Sequence, residues 1–168
     1  MTVSNESLLD AQIEVIHPDL QCGQIQYALF DFDGTISLIR EGWQAIMIPM
    51  MVEILEQTPQ HEDQAELERV VKEFVTRLTG KQTIYQMIQL CEEITRRRGS
   101  PEDPLVYKAH YNDRLNEHIK HRIASLKSGA AEPEEMTVPG SIDWLKRLKQ
   151  HGVRCYLASG TDEKYVFE

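Results

Sequence analysis

The stretch Gln24–Ser37, QIQYALFDFDGTIS, decides the reading of the chain. Ile25, Tyr27 and Leu29 alternate with Ala28 and Phe30, so residues 24–30 carry apolar side chains on both faces. That pattern predicts a β-strand covered on both sides, as in parallel sheets. The segment ends on Asp31 and Asp33, and strand side chains two apart point the same way. Two carboxylates so placed repel unless a cation or a proton lies between them. Mg²⁺ suits the position, because it accepts one or two carboxylates, keeps waters and binds substrate phosphate. A calcium loop would need further acidic ligands and a closing Glu, but the chain continues with Ser37-Leu38-Ile39 instead.

Downstream, the periodicity changes to that of helices. The spacing of Trp43, Ile46, Met47, Met50, Met51, Ile54 and Leu55 predicts a helix over 41–58, kinked or divided at Pro49. Further helices are expected over 62–79, stopped by Gly80, over 83–98, and over 102–127. Residues 41–128 should therefore form a bundle of about four helices, with the methionines as core packing. His110, His118 and His121 read as a solvated face of the last helix, without a metal-binding set around them. Arg96-Arg97-Arg98 reads as the cationic close of a helix before Gly99.

After a polar linker, Val138-Pro139-Gly140 makes a turn and Ser141 is expected to cap a short helix bearing Ile142, Leu145 and Leu148. Val153–Ala158 reads as a second strand, succeeded at once by Ser159-Gly160-Thr161 and a helix start at Asp162. Ligands of open α/β sheets collect at the carboxyl ends of the strands. Both strands here end there in polar groups.

FDFDGT, with Asp31, Asp33, Gly34 and Thr35, resembles the first motif of the haloacid-dehalogenase-like (HAD) hydrolase superfamily, and Tyr156–Thr161 resembles its second. The order and spacing are those of the C1-capped phosphatases, similar to phosphoglycolate phosphatase and β-phosphoglucomutase. The resemblance implies an α/β fold: a Rossmann-like core with an incomplete parallel sheet and an inserted α-helical cap. Its divisions would be a lead-in at 1–23, core at 24–40, cap at 41–137 and core again at 138–168. It implies Asp31 as nucleophile and Asp33 as acid and base, both at the Mg²⁺ site. Ser159, Gly160 and Thr35 would hold the phosphoryl group. Arg40, Trp43 and Lys81, the last in the loop Gly80–Thr83, would choose the substrate, a small phosphorylated metabolite such as a sugar phosphate or phosphoglycolate. The family's later Lys and acidic-pair motifs have no counterpart in the 168 residues, so this piece alone is expected to be weakly active or inactive. The rival expectations are a phosphomutase and a non-catalytic module.

The balance of 18 Lys and Arg against 27 Asp and Glu gives a charge of −9, which disfavours nucleic acid. Cys22, Cys91 and Cys155 form neither a disulfide framework nor a zinc spacing. The first ten residues lack a basic start and an apolar signal core, and no apolar run reaches membrane-spanning length. A cytoplasmic location with no membrane partner is expected.

Overall fold

The computed structural model describes residues 16, 17, 19 and 23–160. Most of the expected lead-in at 1–23, with Cys22, and Thr161, Asp162 and the final helix start lie outside the described residues. The chain is mixed α/β and mostly helical. Strand β1 (Tyr27–Asp31) is followed by α1 (Gln44–Leu55), α2 (Gln64–Arg77), α3 (Thr83–Arg96) and α4 (Pro104–Ser128). A 3₁₀ turn at Pro133–Met136, helix α5 (Ser141–Gln150) and strand β2 (Arg154–Ala158) complete the order.

The helix boundaries have local causes. Asp63 accepts the Glu66 amide at 3.0 Å to open α2, and Asp103 accepts the Leu105 amide at 2.8 Å to open α4, with Pro104 in the first turn. Helix α1 runs on through Pro49 rather than dividing there. The buried apolar neighbours Met47, Met50 and Met51 fix that helix by packing, which outweighs the missing proline amide. Helix α5 departs from expectation at its start. Gly140, not Ser141, is the cap residue, in the left-handed conformation at φ 81°, and the Ser141 hydroxyl is buried without a hydrogen-bond partner.

Helices α1–α4 close around one apolar core. Met47, Met50, Met51 and Leu55 meet Leu67, Val71 and Val75 of α2, with Met87 and Leu90 of α3 and Ile119 of α4. In α4 the buried positions Tyr107, Tyr111, Leu115 and Ile119 fall every fourth residue, a stripe along one face.

The strands are parallel and adjacent, in the register Tyr27↔Arg154 through Asp31↔Ala158. The expectation of cover on both faces is not met. Ala28, Phe30 and Cys155 are half-buried, but Tyr27, Leu29, Tyr156 and Leu157 are exposed, Leu29 by 71%. The reason is the separate closure of the helical core: α5 lies against β2, while the apolar faces of α1–α4 are spent on each other. On the exposed side Tyr27 and Tyr156 stack at 6.3 Å, with the Arg154 guanidinium 6.0 Å from the Tyr27 ring.

The two linkers between strands and helices pair with each other. Leu38 N–H donates to Met136 O at 2.8 Å and Val138 N–H to Ile36 O at 3.0 Å. From α4, Arg122 Nη1 donates to the carbonyls of Ile39 at 2.7 Å and Glu41 at 3.0 Å. One helix is thereby tied to the turn after β1.

Candidate functional site

Strand β1 stops at Asp31 and gives way to a tight turn. The Phe32 carbonyl accepts the amides of Ile36 and Ser37, both at 2.9 Å, while Gly34 takes φ 78°, a left-handed conformation that suits glycine. Asp33 is thus placed by the turn, not by strand alternation. Asp31 and Asp33 nonetheless line the same cleft.

That cleft, of about 220 Å³, lies where the carboxyl end of the strand pair meets the helices. Of the residues singled out in the sequence, it is lined by Asp31, Asp33, Arg40, Trp43, Lys81 and Gly160. Ser159 and Thr35 are not lining residues. Ser159 is half-buried, one residue beyond the Ala158 that pairs with Asp31, and Thr35 is exposed in the turn, its amide on Phe32 O at 3.3 Å. Gly160, one residue further on, also approaches the loop after α2, since a Cβ there would lie 3.8 Å from Gln82 Cα.

Arg40 leans toward the acids, with Nη1 3.8 Å from Asp33 Oδ2 and both side chains largely covered. At that distance it is a charge pair rather than a hydrogen bond, and it offsets part of the repulsion between the carboxylates. Tyr111, buried on α4, shares the same field. Burial pushes its phenol well above the usual tyrosine range, Arg40 pulls the other way and Asp33 adds to the rise. The phenol therefore stays protonated throughout the working range of any neighbouring carboxylate.

The donor set can be weighed against a metal. Among the described residues no group of three or more His, Cys, Asp and Glu side chains could hold an ion. Asp31 and Asp33 supply two hard oxygen donors, too few for a protein cage. Two are enough for Mg²⁺, which commonly takes one or two carboxylates and completes its shell with water and phosphate. The pair fits that ion and does not fit a structural zinc.

No family model, curated protein or solved structure matches this chain. The site therefore rests on its own geometry.

The far wall of the cleft carries no signal as plain as the paired acids. Lys108, Tyr111, Asn112 and Leu115 of α4 line it, as does Gln86 of α3, and sequence reasoning missed them, whereas Gly80 and Thr83 belong to the loop singled out with Lys81. A signal existed: Lys108 and Asn112 are the polar residues next to Tyr107 and Tyr111 in the four-residue stripe. They border the buried face of α4 instead of opposing it. His110, His118 and His121 are exposed on that helix. No helix among the described residues is long and apolar enough to cross a membrane.

Proposed function

We propose that the chain carries a Mg²⁺-dependent phosphohydrolase site of the HAD type, acting on a small phosphorylated metabolite through an aspartyl-phosphate. The observation that supports this most is the strand register. It sets Asp31 beside Ala158, so that the Asp31–Asp33 pair and the Ser159–Gly160 loop leave the sheet at one edge, with Asp31, Asp33 and Gly160 lining one small cleft. On this reading β1, α5 and β2 belong to a Rossmann-like core, and α1–α4 form the cap.

Asp31 is the nucleophile. Its carboxylate oxygen attacks phosphorus in line, the bond to the leaving oxygen breaks, and Asp33 gives that oxygen a proton. Water then attacks the acyl-phosphate, Asp33 takes back a proton, and inorganic phosphate leaves with Asp31 restored. The Ser159 hydroxyl and the Gly160 amide hold the phosphoryl oxygens, and Arg40 screens the paired acids. Asp31 and Asp33 would hold Mg²⁺, which when bound supplies positive charge against the phosphoryl oxygens. The cap excludes water from the cleft.

The test is chemical trapping, which needs one turnover. Protein incubated with Mg²⁺ and a panel of small phosphate monoesters is reduced with borohydride, which converts an aspartyl-phosphate to homoserine, and the peptides are read by mass spectrometry. Conversion at position 31, lost in Asp31→Asn, is expected. Conversion at another residue, or none with any ester, overturns the reading.

A further inference from the structure

Among the described residues, two uncharged polar side chains line the cleft without a hydrogen-bond partner: Gln86 of α3 and Tyr111 of α4, which are only 4% and 5% exposed. Buried amides and phenols ordinarily find a partner. Ser141 Oγ is the one fully enclosed side-chain oxygen or nitrogen that lacks one among the described residues, so the polar ends of Gln86 and Tyr111 open on the cleft instead of being sealed in the core. The surroundings are apolar. Met47 and Leu115 belong both to the cleft lining and to the core, and Met87 follows Gln86 into that core. There a hydrogen bond is strengthened and an unpaired polar group is costly. Tyr111 is also well placed. It lies about three helical turns before Arg122, hence on the face of α4 that Arg122 ties to Ile39 and Glu41. Arg40 and Asp33, the charge pair of the opposite wall, both act on its phenol. Between them the amide and the protonated phenol offer donors and acceptors but no charge.

We infer that Gln86 and Tyr111 are specificity-determining residues of the cleft: together they bind an uncharged ligand group that both donates and accepts hydrogen bonds. The phosphoryl end of that ligand rests on the phosphohydrolase reading; selection by Gln86 and Tyr111 is a property of the helical wall alone. Selection then falls on a neutral pair that the packing of α3 on α4 brings to one cleft, beyond the Arg40, Trp43 and Lys81 expected from the sequence. Such a pair acts by rejection as much as by attraction. A ligand that offers a methyl group at this point displaces water and leaves amide and phenol unpaired, which is how sites built on hydrogen bonds discriminate.

Matched phosphonates test it without turnover. Propylphosphonate differs from 2-hydroxyethylphosphonate, and ethylphosphonate from hydroxymethylphosphonate, by a methyl group in place of a hydroxyl. Binding of the four probes to the whole chain is measured by calorimetry with Mg²⁺ at one ionic strength. In at least one pair the hydroxyl probe is expected to bind at least about tenfold more tightly, the scale of one buried hydrogen bond made or left unmade. Tyr111→Phe and Gln86→Met should each cut that ratio at least about threefold, and the double variant should bring the two affinities together. The melting temperature should hold or rise in both single variants, because the replacements bury no polar atom, whereas a group that serves the fold would lower it. Equal affinities within both pairs, no binding of any probe, a ratio untouched by the substitutions, or a fall of more than about 4 °C in either variant overturns the inference. Failure of the phosphohydrolase reading appears separately, as an absence of modification at Asp31 in the trapping experiment while the hydroxyl preference persists.

Discussion

Replacing Arg97 by Met tests how the helical block is held together. Arg97 is 3% exposed, and its guanidinium spans two acids. Nε and Nη2 donate to the Glu62 carboxylate at 2.6 and 3.0 Å, and Nη1 donates to Glu93 Oε2 at 2.7 Å and Glu93 O at 3.1 Å. The two acids are unequal partners. Glu62 is 44% exposed and can be rehydrated, so its share is worth under about 1 kcal/mol. Glu93 is 4% exposed, and without Arg97 its charge stays buried. Breaking such a pair costs about 3–5 kcal/mol. Arg96, with Nη1 3.0 Å from Glu93 Oε1, keeps part of the compensation and moves the expectation to the low end, about 3 kcal/mol. For a unit of this size the melting temperature should fall by roughly 10 °C, measured by circular dichroism with a parallel urea titration. Adding Glu93→Gln to Arg97→Met removes the stranded charge and should recover at least about 1 kcal/mol. A loss below about 1 kcal/mol, with no recovery in the double variant, would refute the assignment of the cost to Glu93. The pH dependence has a definite sign. Burial pushes the Glu62 carboxyl up, but the Arg97 hydrogen bonds and charge outweigh it and hold the carboxyl below its ordinary 4.5. A depressed carboxylate stabilises fully above the unfolded value and loses that contribution as pH falls through the folded one. Arg97→Met should therefore flatten the acid limb of the stability curve.

Gly99→Ala should destabilise by about 1–3 kcal/mol in the same urea assay, because its Cβ would lie 2.7 Å from Ile94 Cγ2 and 3.1 Å from Thr58 Cγ2, both in buried residues. Arg122→Met removes the donor to Ile39 and Glu41 and should speed amide exchange in residues 36–41 and 136–138, while the α1–α3 amides keep their protection. In the unaltered chain, hydrogen exchange should be faster in β1 and β2 than at the centres of α1–α4, because a two-stranded pair with one exposed face has little burial to protect it.

Where the sequence was legible, one physical signal dominated. The four central helices follow from apolar spacing, but two of them open two residues later than the expected 62 and 102, where Asp63 and Asp103 cap them. The parallel pairing of β1 with β2 follows from two apolar runs and the helix between them. The one-sided burial of the sheet was not legible. An exposed Leu29 looks the same in sequence as a covered one, and only the separate closure of the helical core decides between them. Arg97 was hidden for a related reason. With its neighbours Arg96 and Arg98 it reads as the cationic close of a helix, and nothing local reveals that Glu62, 35 positions away, closes over the middle member. Lys108 and Asn112 were hidden in turn by the apolar stripe of α4, which dominates the pattern of that helix.

The two halves of the cleft draw their rigidity from different sources. Asp31 sits at the end of a strand pair that is half open to water, whereas the wall bearing Lys108 stands on a core of fully buried methionine, leucine and valine side chains. The better-buried element is thus the helical wall, and the more exposed one is the edge that carries the carboxylates. Arg122 and the paired linkers join the two, since the residues that α4 grips, Ile39 and Glu41, flank the Arg40 that leans on Asp33. Arg122 thus holds the backbone on both sides of the residue whose guanidinium pairs with Asp33. The turn that presents Asp33 and the segment that Arg122 holds are one continuous piece of chain, residues 32–41.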